Sequence, residues 1–161
     1  MRNFLLLSRN RAFAVALFAC LVSGSGMATA AEDTAYKTTD GLTVYLGLMP
    51  AEIVKGHPSG HVEQTMHGGT PKGVHEYHVV AAVFDAKSGA RVTDASVSAQ
   101  ISGLGLAGAK KKLDPMEIAK TISYGEFFDL PGRDLYTIRL TIQRPGQTNP
   151  VSLEFKYDHR K

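Results

Sequence analysis

Residues 130–143 read LPGRDLYTIRLTIQ, a Pro-Gly turn that is followed by alternating apolar and mostly polar side chains. Successive side chains of a β-strand point to opposite faces, so a period of two predicts a strand with one buried face. That face would consist of Tyr136, Ile138, Leu140 and Ile142. A strand of this kind needs other elements to cover its apolar side.

Most of the remaining chain consists of similar short segments separated by turn residues, most clearly at 85–89 and 145–150. Residues 113–119 fit either a short strand or one turn of helix. About seven short strands without a convincing long helix predict an all-β fold, namely a β-sandwich. The predicted strands cover residues 42–48, 75–84, 92–101, 121–130, 134–143 and 151–157. The alternation predicts burial of Tyr45, Val79, Val83, Phe84, Ile138, Leu140, Phe155 and Tyr157.

A glycine-rich and then lysine-rich run, GLGLAGAKKK, covers residues 103–112. Glycines followed by lysines can bind phosphate groups at the start of a helix. The spacing here matches neither the phosphate-binding loop of nucleotide hydrolases nor the dinucleotide fingerprint, and no convincing helix follows. We therefore predict a surface connection whose lysines are solvated.

The first thirty residues have the pattern of a cleavable secretory signal. Three arginines precede an apolar stretch over residues 12–22, and residues 28–30 (ATA) form a small-residue cleavage site. We expect a mature protein that begins at Ala31, forms a single domain over residues 31–161 and resides in the periplasm. The alternative is a lipoprotein acylated at Cys20, although the residues before this cysteine fit a lipobox only in part.

Removal of the signal balances the charge of the chain. The intact chain has 18 Lys and Arg against 15 Asp and Glu, but three arginines and no acids lie in the signal, which leaves 15 of each sign. Net charge therefore gives no argument for a nucleic-acid partner, and we expect none. The single cysteine, Cys20, is also lost, which excludes disulfides, thiolate metal ligands and cysteine nucleophiles.

Residues 56–78 read GHPSGHVEQTMHGGTPKGVHEYH and contain five of the six histidines. Neutral imidazole binds copper, zinc, nickel and iron, and a thioether such as that of Met66 favours Cu(I). The glycines and prolines predict a loop that leads into the strand at residue 75. We predict a metal site for copper, as Cu(I) or Cu(II), with iron or zinc as alternative metals. Solvated surface histidines or a pH-sensing loop are the alternatives to a metal site.

The spacing of the histidines separates the candidate ligands. His75 and His78 are three residues apart at the start of a strand, so in ideal geometry they point to opposite faces and cannot both join one site without a bulge. Met49 and Met116 lie outside the loop, and we assign both to core packing, with metal ligation as the alternative. The predicted ligands are His61, Met66, His67 and one of His75 and His78, with His57 as the next candidate.

Two resemblances narrow the fold and the function. The run LPGRDLYTIRLTI is similar to the entry of a late strand in immunoglobulin-like domains, where a tyrosine, here Tyr136, forms the tyrosine corner. A cysteine-free β-sandwich with a His/Met-rich loop resembles small periplasmic metal-handling proteins of Gram-negative bacteria: CopC-type copper carriers, YtkA-like domains and the periplasmic companions of iron transporters. This resemblance implies an immunoglobulin-like sandwich, a copper or iron ligand and a role in trafficking. The chain differs from CopC in having Ala31, and no histidine, at the expected mature N-terminus.

The leading hypothesis is a periplasmic metal-binding protein for copper that acts as a carrier, a buffer or a transporter accessory. Its partners would be the metal ion and a membrane transporter or another periplasmic protein, and it could form a homodimer. The second hypothesis is an interaction module of an envelope complex with incidental histidines. We expect no enzyme, because the chain has neither a Gly-x-Ser-x-Gly elbow nor a His-Glu-x-x-His motif and its acidic residues are scattered.

Overall fold

Eight antiparallel strands and one short helix form the part of the protein that the computed structural model describes, which comprises residues 35–58, 65, 68–105, 107–108 and 110–160. The signal sequence predicted over residues 1–30 lies outside the described residues, and so do His61, Met66 and His67. The elements are β1 (Tyr36–Thr39), β2 (Leu42–Pro50), α1 (Ala51–Lys55), β3 (Glu76–Asp85), β4 (Ser96–Ser102), β5 (Lys110–Ile118), β6 (Thr121–Asp129), β7 (Leu135–Gln143) and β8 (Val151–Asp158).

The strands follow the order β1-β2-β3-β6-β5-β4-β7-β8, and every neighbouring pair is antiparallel. Strands β1, β2, β3 and β6 form one sheet, and β4, β7 and β8 form the other. The free edges of the two sheets approach each other. The Lys37 Nζ of β1 lies 5.6 Å from the centre of the Phe155 ring of β8. The predicted β-sandwich is therefore confirmed, with eight strands in the described residues.

Strand β5 passes from one sheet to the other. Its first half, Lys110–Leu113, pairs with β4, whereas residues 114–118 pair with β6. Pro115 follows the crossing point, where β5 has a paired neighbour on one side only. A proline is tolerated there because its missing N–H removes no bond from a central strand.

The core lies between the two sheets. The buried face predicted for β7 is confirmed, since Tyr136, Ile138, Leu140 and Ile142 are all buried. Full burial of side chains of this size stabilises the fold by about 1.5–3 kcal/mol each. Of the other residues predicted to be buried, three are buried (Val79, Val83 and Phe155) and two are half-buried (Phe84 and Tyr157).

Tyr45 is the exception, and its predicted burial is wrong. Its side chain is 46% exposed, because the inward positions of β2 are those of Leu42 and Val44. Alternation then places Tyr45 on the outer face of the sheet. There it stacks on Tyr36 of β1, with 5.2 Å between the ring centres.

Three elements differ from the sequence-based predictions. Strand β1 lies in a segment that has no apolar alternation, and it pairs with β2 through a two-residue Asp40-Gly41 turn with positive φ at both residues. The lysine run is not a loop connection, because residues 110–112 are the exposed start of β5. Helix α1 is new; it is five residues long, and the described residues contain no helix that is long and apolar enough to cross a bilayer.

The tyrosine corner predicted at Tyr136 is present. The Tyr136 hydroxyl donates a hydrogen bond to the carbonyl oxygen of Pro131, five residues upstream, and the side chain is buried. Burial, with a smaller contribution from the nearby Asp134, raises the pKa of the Tyr136 hydroxyl. The hydroxyl therefore stays protonated and continues to donate this bond at neutral pH.

Asp85 ends β3 and organises the turn that follows it. Its carboxylate accepts hydrogen bonds from the backbone N–H of Ser88 (2.9 Å), the Ser88 hydroxyl (2.8 Å) and the backbone N–H of Lys87 (3.2 Å). The Arg144 guanidinium, just after β7, lies 3.2 Å from its second oxygen. The backbone hydrogen bond from Ser88 is the largest of the effects that lower the pKa of Asp85 from 3.8 to about 2.

We predict that Asp85→Asn lowers the free energy of unfolding at neutral pH. In acid, the difference in stability between the wild type and the variant should disappear. The folded-state pKa is depressed, so the stabilisation from the carboxylate is present above about pH 4 and is lost as the pH falls through about 2. Urea unfolding of the wild type and the variant between pH 2 and 7 measures the difference. Glu117→Gln, at an exposed carboxylate on β5, is the control. A difference that stays constant over the whole range would contradict the prediction.

Candidate metal centre

His78 lies on β3 and is fully buried, although it points away from the core between the sheets. Its neighbour Val79 faces that core, and alternation directs His78 to the outer face. The imidazole stacks on the ring of Phe127, with 4.7 Å between the ring centres and an interplanar angle of 28°. A histidine on the outer face of a sandwich is ordinarily hydrated, so something must cover this end of the sheet.

Helix α1 provides part of that cover. Pro50 ends β2 and occupies the N-cap position, with φ −53° and ψ 137°. Ala51 and Val54 are three residues apart and therefore lie on one side of the helix, where both are buried with Phe127 in a second small apolar cluster. The outer face of the sheet is thus apolar and dry beside His78.

Gly125 allows His78 and Met116 to pack closely against the backbone of β6. A Cβ atom at this glycine would lie 2.7 Å from His78 Nε2, 2.5 Å from Met116 Cε and 3.2 Å from Met116 Sδ. The imidazole nitrogen and the thioether therefore meet over the glycine backbone, and any residue with a Cβ at 125 would require them to shift. Met116 is 3% exposed, so both donor atoms belong to buried side chains.

The strand register explains this convergence. His78 is opposite Phe127 on β6, and Gly125, two residues before Phe127, shares its face. Met116 is opposite Ser123 in the β5–β6 ladder, which places Met116 on the same face again. Three neighbouring strands thus bring an imidazole, a glycine and a thioether together.

The chemistry of this donor pair is soft. A thioether selects Cu(I), and imidazole binds copper in both oxidation states, as well as zinc, iron and nickel. The buried Ser123 is opposite Met116 and shares its face of the sheet. Within the described ranges, no three His, Cys, Asp or Glu side chains come together in the way that a harder ion would need.

The other predicted ligands lie in different places. His75 is exposed in the turn before β3, and its carbonyl oxygen accepts a hydrogen bond of 2.8 Å from the Leu130 N–H. His57 is half-buried just after α1, and its N–H donates to the Val54 carbonyl oxygen at 3.2 Å. His61, Met66 and His67 fall outside the described residues, so their place as ligands stays a prediction.

Met116, which the sequence assigns to core packing with metal ligation as the alternative, is buried, but it lies on the outer face beside His78. One signal in the sequence pointed to this place, since TISYGEFFD is a strand with a glycine in its interior. Such a glycine often marks a close approach of other atoms. The partner of that glycine depended on the register of β5 and β6, which alternation alone does not specify.

The sixth histidine, His159, belongs to a separate cluster at the end of β8. Its Nε2 lies 2.7 Å from the Tyr77 hydroxyl, and its ring stacks on Tyr157 with 5.8 Å between the ring centres. Tyr136 is also near, at 6.1 Å. Because Tyr77 faces the inter-sheet core and His78 faces outward, the two histidine environments lie on opposite sides of the same sheet.

Comparison with known proteins gives matches in structure only. No protein-family model and no curated protein sequence matches this chain. A copper-bound variant of FetP from uropathogenic Escherichia coli is 12% identical, with a TM-score of 0.58 over 77% of this chain and 93% of that one. A DUF4426 family protein from Pseudomonas aeruginosa is 13% identical, with a TM-score of 0.59 over 76% of this chain and 91% of that one.

A copper-bound variant of Campylobacter jejuni P19 is 12% identical, with a TM-score of 0.53 over 76% of this chain and 92% of that one. These identities are too low to transfer a ligand set, and the likeness is one of fold. The resemblance to small periplasmic metal-handling proteins is confirmed at that level, and the chain therefore has the β-sandwich fold of FetP and P19.

Proposed function

We propose that this protein binds copper in the periplasm, at a centre built on His78 and Met116, and that it acts as a carrier, a buffer or an accessory of a membrane transporter. The observation that carries the proposal is the convergence of His78 Nε2 and Met116 Sδ over the backbone of Gly125. An imidazole and a thioether together form a soft donor set that suits copper. The proposed role is non-enzymatic.

The fold supports the same proposal. Two proteins that share it have been solved with copper bound, FetP and P19. Iron and zinc are the alternative metals, since imidazole also binds them. The thioether favours copper over both.

Further ligands would come from the His/Met-rich segment, residues 56–78. This segment starts directly after α1, which packs on Phe127, and it ends in β3 at His78 itself. Both of its ends are therefore fixed beside the proposed centre. We propose that His61, Met66 and His67 complete the coordination, with His57 as the next donor.

A second candidate function is supported by a separate surface. Tyr36 and Tyr45 are about half exposed and stack on each other, and Phe84 packs edge-on against Tyr45 at 5.5 Å. Contiguous exposed aromatic side chains often mark a protein-binding surface. An interaction module would use this surface and would not need His78 or Met116.

We predict that the untagged protein binds Cu(I) and that both His78→Ala and Met116→Leu weaken the binding about tenfold or more, a loss of about 1.4 kcal/mol. Competition with a chromogenic Cu(I) chelator measures the affinity. Met116→Leu removes the sulfur but conserves the volume of the side chain, so the variant should keep the fold. In a third variant, His57, His61, His67 and His75 are replaced by Asn. It measures how much the loop histidines contribute to the affinity, apart from His78 and Met116. Binding that is the same in the wild type and all three variants would refute the proposal.

Gly125→Ala should weaken Cu(I) binding because its Cβ would lie 2.7 Å from His78 Nε2 and 2.5 Å from Met116 Cε, so that the two side chains must move apart. The matched control is Gly47→Ala on the same face of β2, where the nearest atom, the Val80 carbonyl oxygen, is 4.0 Å from the new Cβ. In a strand, Gly to Ala is otherwise neutral or stabilising by about 0.5–1 kcal/mol. Equal copper affinity in the two variants would show that binding does not depend on the close approach of His78 and Met116.

Export from a Gram-negative host should yield a soluble periplasmic protein that begins at Ala31. Intact-mass spectrometry of the purified protein tests both the cleavage site and the location. A lipid-modified species that begins at Cys20 would instead attach the protein to a membrane.

A further inference from the structure

The ring of Phe127 determines the plane of the His78 imidazole. The two residues are directly opposite in the β3–β6 ladder, and their rings stack with 4.7 Å between the ring centres and 28° between the planes. The χ2 torsion of a histidine has only a broad preference of its own, so a stacked neighbour decides its value. The direction in which His78 Nε2 points, towards Gly125, therefore depends on where the Phe127 ring lies.

Phe127 lies just beyond the point where β5 leaves β6. The β5–β6 ladder ends at the pair Asp114–Gly125, and the residues of β5 before Asp114 pair with β4. Among the described residues, β6 is thus paired with β3 alone at Phe127. A second neighbouring strand, which would hold the backbone of β6 from its other side, ends before this position.

Side chains hold the backbone of Phe127 where the ladder has ended. The Lys111 ammonium donates a hydrogen bond of 2.6 Å to the Phe127 carbonyl oxygen, and the Phe127 N–H donates one of 2.7 Å to Oε1 of Glu126. The Lys111 Nζ also lies 5.1 Å from the centre of the Phe128 ring. Hydrogen bonds with a charged side chain are stronger than those between neutral groups. Because Lys111 belongs to β5, its bond ties that strand to β6 after their backbone pairing has stopped.

Alternation along β5 selects one lysine of the run at residues 110–112 for this contact. Lys110 and Lys112 point to the outer face of their sheet. Lys111 starts from the other face, which it shares with the core residue Leu113. Its apolar stem leaves the core there, and its ammonium reaches the backbone of β6.

We propose that Lys111 is a positioning residue of the copper centre: it holds the backbone of Phe127, and the ring of Phe127 holds the His78 imidazole in its ligating orientation. This inference rests on the proposed copper function. It adds a residue that touches neither the imidazole nor the ion and yet sets the affinity of the centre. Groups that orient a metal-ligating histidine typically change metal affinity by about ten- to a hundredfold when they are removed.

The first test is a double-mutant cycle, measured by competition with a chromogenic Cu(I) chelator. Lys111→Leu should weaken Cu(I) binding roughly threefold to tenfold and Phe127→Leu about tenfold or more, since both act on the orientation of a ligand. The two changes together should weaken binding no more than Phe127→Leu alone, because Lys111 acts through the Phe127 ring. Lys111→Arg keeps a charged donor and should restore the affinity. Lys110→Leu, the matched control on the outer face, should leave the affinity unchanged.

The second test needs no copper. The Phe127 ring shields the His78 ring protons that lie over its face, so their NMR signals are displaced upfield. In metal-free Phe127→Leu these signals should move downfield, and in Lys111→Leu they should move in the same direction by a smaller amount. Lys110→Leu should leave them in place. The loss of the signals in His78→Ala identifies them. Because Lys111 is exposed, its variants should keep the fold, and thermal unfolding of each metal-free variant checks this.

Unmoved His78 signals or an unchanged Cu(I) affinity in Lys111→Leu would overturn the inference. A loss of affinity that is equally large in the wild-type and Phe127→Leu backgrounds would also overturn it, since the lysine would then act on the ion directly. The copper function is decided separately, by His78→Ala and Met116→Leu. If the wild type binds no Cu(I), that function fails and the inference fails with it, even where the NMR signals move as expected.

Discussion

Strand β5 pairs with both sheets, and much of the structure depends on that sharing. Its first half extends β4 and its second half extends β6, so one strand closes one side of the sandwich without a loop. Alternation along β5 places Leu113 in the core and Met116, three residues later, on the outer face beside His78. The strand that joins the two sheets, β5, is therefore also the strand that brings the Met116 thioether to the candidate centre.

Dryness on the outer face is the second requirement of the centre. Sandwich sheets ordinarily have one hydrated face, and the alternation of β3 would then leave His78 in water. Helix α1 and Phe127 cover this end of the sheet, while Tyr45 and Phe84 remain accessible further along. The same face therefore contains the buried His78 and, four residues further along the sheet, the exposed aromatic surface at Tyr45.

The sequence contained enough information for the architecture and for part of the site. Alternation in β7 predicted the buried face from Tyr136 to Ile142, and the Pro-Gly turn before it predicted the tyrosine corner, because both are local patterns. The burial of Tyr45 was predicted wrongly, because Val44 and Tyr45 are both apolar enough to fill the inward position. The position of Met116 beside His78 could not be predicted, because it depends on the pairing of distant residues. The clustering of histidines identified His78 as a candidate but could not distinguish it, by its burial, from the exposed His75.

The turn between β5 and β6 determines whether the centre can form. Ala119 and Lys120 span it alone, both with positive φ, and the pairing of Ile118 with Thr121 sets the register of every later pair in this hairpin. One inserted or deleted residue would rotate the methionine into the inter-sheet core and bring a different side chain to the glycine. The length of this turn, which contains none of the donor atoms, therefore decides whether the imidazole and the thioether of this chain face each other.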